Sequence, residues 1–224
     1  MNITTLRKDL RFWDAFAPWY EKWLNRGEYH KLLIREITHM IEPGWKVLDI
    51  GGGTGALALP MSSLGCTVTV LEPSEGMRDV LTDKLTSLDI KDIEIDMQRW
   101  EDFPSQRGKD FDLIIACDSL HLTDGGIAGG MKKAYDLMSK NVCLITEINQ
   151  GMFIDFKHID SLQNTYSFLF IRTLRVDSSF YFEDFHEVKE VQDILSCEMP
   201  VTMEGDRLVQ RDETDVAIVW WEKK

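Results

Sequence analysis

Lys46-Val-Leu-Asp-Ile-Gly-Gly-Gly-Thr-Gly55, followed by the helical pattern of Ala56 to Leu64, reads as a strand, a glycine turn and a helix. A short apolar run that stops at glycines marks a strand end. Glycines at alternate positions let backbone amides approach a ligand closely, because no Cβ intervenes and positive φ costs little. The spacing is G-x-G-x-G, which fits poorly the G-x-G-x-x-G loop that seats a pyrophosphate in nicotinamide-binding proteins. Glu72 ends the next strand, nineteen residues after Gly53. That is close to the roughly 20-residue interval at which a carboxylate meets a ribose in related folds. A carboxylate placed there can accept from both ribose hydroxyls through charge-assisted hydrogen bonds.

Outward from this loop, strands are predicted at Thr67–Leu71, Ile93–Met97, Phe111–Cys117 and Val142–Ile148, with helices at Gly76–Leu88 and Ile127–Met138 between them. Strands alternating with helices imply right-handed crossovers and a parallel sheet covered on both faces. Residues Leu10 to Met40 read as aromatic-rich helix, broken into pieces by Pro18 and Gly27. Met152 to Leu174 reads as a helix or helical cap, Ser179 to Phe185 as a strand and Val188 to Leu195 as a helix. Asp215-Val-Ala-Ile-Val-Trp-Trp221 is a terminal strand of the kind that takes an antiparallel place in such a sheet. The expected fold is α/β, a Rossmann-like three-layer sandwich with a mostly parallel sheet, an antiparallel C-terminal strand and an N-terminal helical lid. One domain is expected, with the lid at 1–40, a cofactor-binding core at 41–150, an acceptor-site cap at 151–186 and the rest of the sheet at 187–224.

The 224 residues carry 38 acidic against 25 basic side chains, a formal charge of −13 that repels phosphate backbones and anionic lipid. Nucleic acid and membrane are therefore not expected partners, and the polar stretch Met1 to Arg11 points to a cytoplasmic protein. Cys66, Cys117, Cys143 and Cys197 form no C-x-x-C pair, so they read as reduced thiols and no metal is expected.

The runs V-L-D-I-G-G-G-T-G and V-T-V-L-E-P-S-E-G-M resemble the class I S-adenosylmethionine-dependent methyltransferases, in particular the small-molecule branch that includes the ubiquinone-biosynthesis type. The resemblance runs from about Phe12 to Ile148. It implies S-adenosylmethionine as cofactor, with Gly51, Gly53 and Gly55 carrying its methionine end together with Gly52 between them. Glu72 would hold the ribose, Asp49 would orient the loop or reach the amino group through water, and Pro73 and Met77 would line the adenosine. Arg99-Trp-Glu-Asp-Phe-Pro104 resembles the family's D-A-E-D-L-P run, which places Arg99, Trp100 and Glu101 at the adenine, although Arg99 stands where the family has an acid. A shifted register would use Asp96 instead. Phe16-Ala-Pro-Trp-Tyr20 resembles an N-terminal lid segment whose tyrosine, here Tyr20, approaches the methionine carboxylate. Ala116-Cys-Asp-Ser-Leu-His-Leu122 resembles the stretch beside the transferred methyl, which puts Asp118 and His121 on the acceptor side.

Methyl transfer from a sulfonium is an in-line displacement that needs alignment and exclusion of water, so a small-molecule acceptor is expected to find an enclosed site. His121 is the expected base for an acceptor that bears a proton, with Glu147 and His158 as alternatives. The aromatics of 152–185 are expected to line the acceptor cavity, with Arg172 and Arg175 available to an acidic acceptor. Two other readings stay open: a non-catalytic S-adenosylmethionine-binding or regulatory protein, and a protein or RNA methyltransferase.

Overall fold

A computed structural model describes residues 9–137, 139–148 and 166–224. Five strands follow the alternation expected from the sequence: β1 (Lys46–Ile50), β2 (Thr67–Leu71), β3 (Ile93–Asp96), β4 (Leu113–Cys117) and β5 (Asn141–Glu147). Helices α3 (Ala58–Ser63), α4 (Glu75–Ser87) and α5 (Gly126–Asp136) connect them. With β6 (Tyr166–Asp177) and β10 (Glu213–Lys223) they form a seven-stranded sheet in the order β3-β2-β1-β4-β5-β10-β6. All neighbours among the first five pair in parallel, and β10 runs antiparallel to both β5 and β6. The fold is thus Rossmann-like and mostly parallel, as the alternation implied. Strand order reverses between β1 and β4, where ligands bind at the carboxyl ends of strands in open α/β sheets.

Alternate residues on each strand feed two separate cores, the pattern of a sheet buried on both faces. Val47, Val68, Ile115 and Trp220 pack under α2 (Tyr29–Ile37), α3 and α4 on one face. Leu48, Ile114, Leu144 and Trp221 pack with α5, Trp100 and Phe103 on the other. A third core joins α1 (Leu10–Arg26), β7 (Phe180–Phe182) and α6 (Phe185–Leu195) through Phe12, Phe16, Trp19, Phe182 and Val191.

Two expectations change here. Pro18 does not break α1, which runs through it unbroken to Arg26. Because proline has no N–H, the carbonyl of Asp14 four residues earlier loses its helical partner. The backbone of Gly76 on α4 packs against that carbonyl so closely that a Cβ there would lie 2.4 Å from the oxygen. The part of Met152–Leu174 that lies within the described residues is strand, not helix: β6 sits at the sheet edge beside β10, and Phe168, Leu169 and Ile171 are exposed on it. Its two half-exposed faces lack the clean alternation that identifies a strand. Residues 152–165, including His158, lie outside the described residues. A hairpin, β8 (Thr202–Glu204) and β9 (Arg207–Gln210), joins β7 in a second small sheet and escaped the sequence reading. Gly205-Asp206 between the two strands was its signal, a two-residue hairpin turn.

Glu187 ties the third core together. Its carboxylate accepts from Arg26 at 2.6 Å, Lys22 at 2.9 Å and the amide of Glu183 at 2.9 Å. Burial raises its pKa, but the hydrogen bonds from Arg26, Glu183 and Lys22 outweigh that and hold it down at about 2. Its stabilising contribution is complete above the ordinary glutamate value of 4.5 and is lost as pH falls through about 2. Replacing Glu187 by Gln is expected to lower stability by about 2 kcal/mol at neutral pH. Urea melts of both proteins down the acid range should show that gap closing toward pH 2; a gap independent of pH would refute the assignment.

Candidate active site

An open cleft lies at the carboxyl ends of β1, β2, β4 and β5, roofed by α1 and α2. Of the residues singled out by the sequence, Tyr20, Gly51, Gly53, Glu72, Pro73, Met77, Arg99, Trp100, Glu101, Asp118 and the alternative base Glu147 line it. Asp49, Gly52 and Gly55 lie behind the wall: Gly52 abuts the Asp49 carboxylate and Val70, and Gly55 abuts Leu81. His121 does not join the lining, although its neighbours Ser119, Leu122 and Thr123 do. It sits in the short turn of Leu120–Leu122, where only part of each turn can face the cleft.

The glycine loop owes its shape to Glu72. One carboxylate oxygen accepts from the Gly53 amide at 2.9 Å and the other from the Ser74 amide at 2.8 Å. Burial raises the Glu72 pKa, opposed by those two amides and by the charge of Arg78. Gly51 and Gly53 take positive φ, +65° and +56°. Both line the cleft, but only Gly53 has room for a Cβ, with the Tyr20 ring 3.6 Å and the Met77 sulfur 3.9 Å from where it would stand. Tyr20 reaches this place because α1 is latched to α4. Asp14 accepts from the Ser74 hydroxyl at 2.6 Å and from the Gly76 amide at 3.1 Å. Lys84 adds a bridge, donating to Glu21 on α1 and to the carbonyl of Thr54 in the loop.

At the other end, the rings of Tyr20, Trp23, Tyr29 and His30 form one contacting group, with centroid separations from 4.9 to 6.0 Å. Trp23, Tyr29 and His30 are additions that the sequence reading did not select as site residues. Their signal was the surplus of aromatics on the first two helices, more than one buried face needs. The Tyr29 hydroxyl donates to Asp118 at 2.7 Å, and the Glu147 amide donates to the other oxygen of Asp118 at 2.8 Å. Burial pushes the Asp118 carboxyl up to about 6 against the pull of these bonds. Burial also depresses His30 to about 3, helped by the charge of Lys84, so its ring is neutral.

Of the anticipated aromatic cap, Phe153 and Phe156 lie outside the described residues, and the aromatics within them do not line this cleft. Phe180 and Phe182 pack into the third core, Phe185 is exposed, and Phe170 stacks on Trp220. Arg172 pairs with Glu36 and Arg175 with Asp215, and neither lines the cleft.

Residues 47–141 match the protein family described as a methyltransferase domain. Over that stretch the chain is similar to a methyltransferase domain. S-adenosylmethionine is the cofactor that such a domain implies. A protein of Geobacillus sp. (strain WCH70) that bears a methyltransferase name is 26% identical over 159 residues, 67% of this chain and 62% of that one. The match therefore spans less than two thirds of that relative. Among solved structures, the magnesium protoporphyrin IX methyltransferase of Synechocystis PCC 6803 with bound S-adenosylmethionine superposes with a TM-score of 0.57 at 14% identity, covering 98% of this chain and 99% of that one. A Pyrococcus horikoshii protein described as an RNA methyltransferase gives 0.58 at 17% identity, covering 89% and 84%. At such identities the methyltransferase domain shares the fold with both.

The residues present fit that cofactor. Gly53 offers a surface without a side chain, and Glu72 keeps lone pairs for two hydroxyls after meeting its amides. One oxygen of Asp49 is buried with no hydrogen-bond partner among the described residues. The carboxyl groups of Asp118, Asp49 and Glu72 all act on the Tyr20 hydroxyl, so the field there favours a sulfonium and an ammonium.

Asp49 gives a pH test. Burial, then the charge of Glu72, pushes its carboxyl up to about 7. A raised carboxyl adds stability below its ordinary value of 3.8 and loses that contribution as pH rises through about 7. A cationic ligand prefers the ionised form, so affinity for S-adenosylmethionine is expected to rise by several-fold between about pH 6 and pH 8. Calorimetric titrations across that range check this, and Asp49→Asn should flatten the curve. A slope that survives in the variant assigns the effect to another group.

Proposed function

We propose that the protein transfers the methyl group of S-adenosylmethionine to a small-molecule acceptor by in-line displacement. The observation that carries this reading is that one cleft runs from the glycine loop and Glu72 to the ring group beside Asp118. The cofactor supplies an electrophilic methyl on a sulfonium whose departure leaves a neutral thioether. In this reading Glu72 and the Gly53 amide hold and orient the nucleoside, and Pro73, Met77 and Trp100 bound its base. Tyr20, kept protonated by burial and the surrounding acids, donates a hydrogen bond near the loop. Trp23, Tyr29 and His30 exclude water and fix the acceptor's approach, the alignment from which most of the acceleration derives.

The acid-lined cleft and the net charge of −13 favour a small acceptor over RNA. Titration with S-adenosylmethionine and its demethylated product tests the cofactor half. Incubation with the small-molecule, RNA and protein fractions of a cell extract, followed by mass spectrometry for a gain of one methyl, tests the acceptor half. Methyl gain in the small-molecule fraction alone is expected. Gain confined to RNA or protein overturns the acceptor assignment, and absence of cofactor binding overturns the whole reading.

A further inference from the structure

The chemistry of the acceptor end narrows the substrate. Asp118 is the first residue beyond β4, in a left-handed conformation with φ of +47° that turns the chain at the cleft wall. Its carboxylate is half-buried on the cleft wall, and its hydrogen-bond partners are the Tyr29 hydroxyl, the Glu147 amide and the Cys117 thiol. None of these carries positive charge. Arg99 is the lining cation among the described residues, and it is held at the opposite end by Glu101 and Asp124. His30, the other basic side chain on the wall, is neutral. Its Nδ1 is buried and has no hydrogen-bond partner among the described residues. The rings of Trp23, Tyr29 and Tyr20 and the acidic side chain of Glu147 stand on the same wall.

An anionic acceptor would meet repulsion from Asp118 with no compensating cation on the described wall. A neutral alcohol would leave a half-buried carboxylate without a counter-charge. A carboxylate flanked by aromatic rings is instead the environment that favours an alkylammonium group, through charge-assisted hydrogen bonding and cation–π attraction.

We propose that the acceptor is an amine, held with its nitrogen between Asp118 and the ring group of Trp23, Tyr29 and Tyr20, and that the protein is an N-methyltransferase. This rests on the methyl-transfer reading above and specifies its substrate class. The amine arrives protonated and passes one proton to the Asp118 carboxylate. The freed nitrogen lone pair then forms the bond to the methyl carbon as the carbon–sulfur bond breaks. The electron pair of that bond stays on sulfur, which leaves as a thioether, and the methylated nitrogen carries the positive charge away. Asp118 returns its proton to solvent.

Three probes of one shape separate the alternatives: 2-(dimethylamino)ethanol, the uncharged 3-methylbutan-1-ol and the anionic 3-methylbutanoate. Each is titrated into the full chain saturated with the demethylated cofactor, with tryptophan fluorescence as the readout. The amine is expected to bind about tenfold or more tighter than the alcohol, and the acid weakest. In Asp118→Asn, which keeps the left-handed turn because asparagine tolerates positive φ, the preference for amine over alcohol should collapse to within about threefold. Equal binding of amine and alcohol by the wild type, no detectable binding of the amine, tightest binding of the acid, or a preference that survives in the variant each overturns the proposal. The wild-type series stands alone if the variant fails to fold. Failure of the demethylated cofactor to bind at all would instead bring down the methyl-transfer reading, so the two failures are distinguishable.

Discussion

Glu72→Gln is expected to weaken binding of S-adenosylmethionine and of its demethylated product by about a hundredfold or more. Two losses combine. A ribose that donates two hydrogen bonds to a carboxylate loses the charge assistance on both, and bonds to charged groups contribute roughly 1.5–3 kcal/mol each. The loop also suffers. Glu72 accepts the Gly53 amide on one oxygen and the Ser74 amide on the other, whereas a glutamine can accept only one of them. In either flip its NH2 faces a backbone N–H, which leaves a buried donor unsatisfied. Calorimetry with the demethylated product measures the affinity, and a thermal melt run alongside separates binding loss from unfolding. A variant that binds within threefold of the wild type would remove Glu72 from the site.

The glycines give the second large effect, and it splits by position. Gly51→Ala should fail mainly as a fold. Its Cβ would lie 2.5 Å from the Cβ of Ser119, a residue whose hydroxyl donates to the Ile50 carbonyl at the end of β1. Its φ of +65° adds left-handed strain of roughly 1–2 kcal/mol. Something at the junction of β1 and β4 has to move, and a total loss of about 3 kcal/mol or more is expected. Gly53→Ala has the same type of φ but more room, its Cβ meeting nothing nearer than 3.6 Å. It should fold with a loss of about 1 kcal/mol and bind the cofactor at least about tenfold more weakly, because the new methyl group occupies the cleft face of the loop. Chemical denaturation and product titration on both variants decide the matter. The reverse order, with Gly51→Ala benign and Gly53→Ala unfolded, would mean that the loop is built differently. Adding Ser119→Gly to Gly51→Ala should recover part of the stability by removing the clashing Cβ.

The cofactor half of the site was legible because its signals are local. Strand, loop and helix around Gly51 to Gly55 follow from periodicity and turn chemistry, and Glu72 from its distance along the chain. The acceptor half was not legible in the same way. Residues 152–185 were expected to supply its wall on the strength of their aromatics; within the described part, Phe180 and Phe182 serve the third core, and Trp23, Tyr29 and His30 stand at the cleft. Aromatic density marks burial; which surface is buried depends on pairings across more than a hundred residues, such as the ring contact of Trp23 with Phe180. His121 illustrates a different limit. A matched motif locates a turn, but whether a given side chain of that turn faces the cleft is decided by one dihedral that no motif encodes. The latch between Asp14 and the Ser74–Gly76 corner left no trace in sequence either, since its partners lie about sixty positions apart.

That latch has a consequence for traffic through the cleft. A single oxygen of Asp14 serves both the hydroxyl of Ser74 and the amide of Gly76, and Ser74 is also the residue whose amide pins Glu72. Any outward movement of the first helix must break both bonds of Asp14, so the corner that pins Glu72 would loosen with it. In the methyl-transfer reading, opening the acceptor end and releasing the used nucleoside would then be linked events.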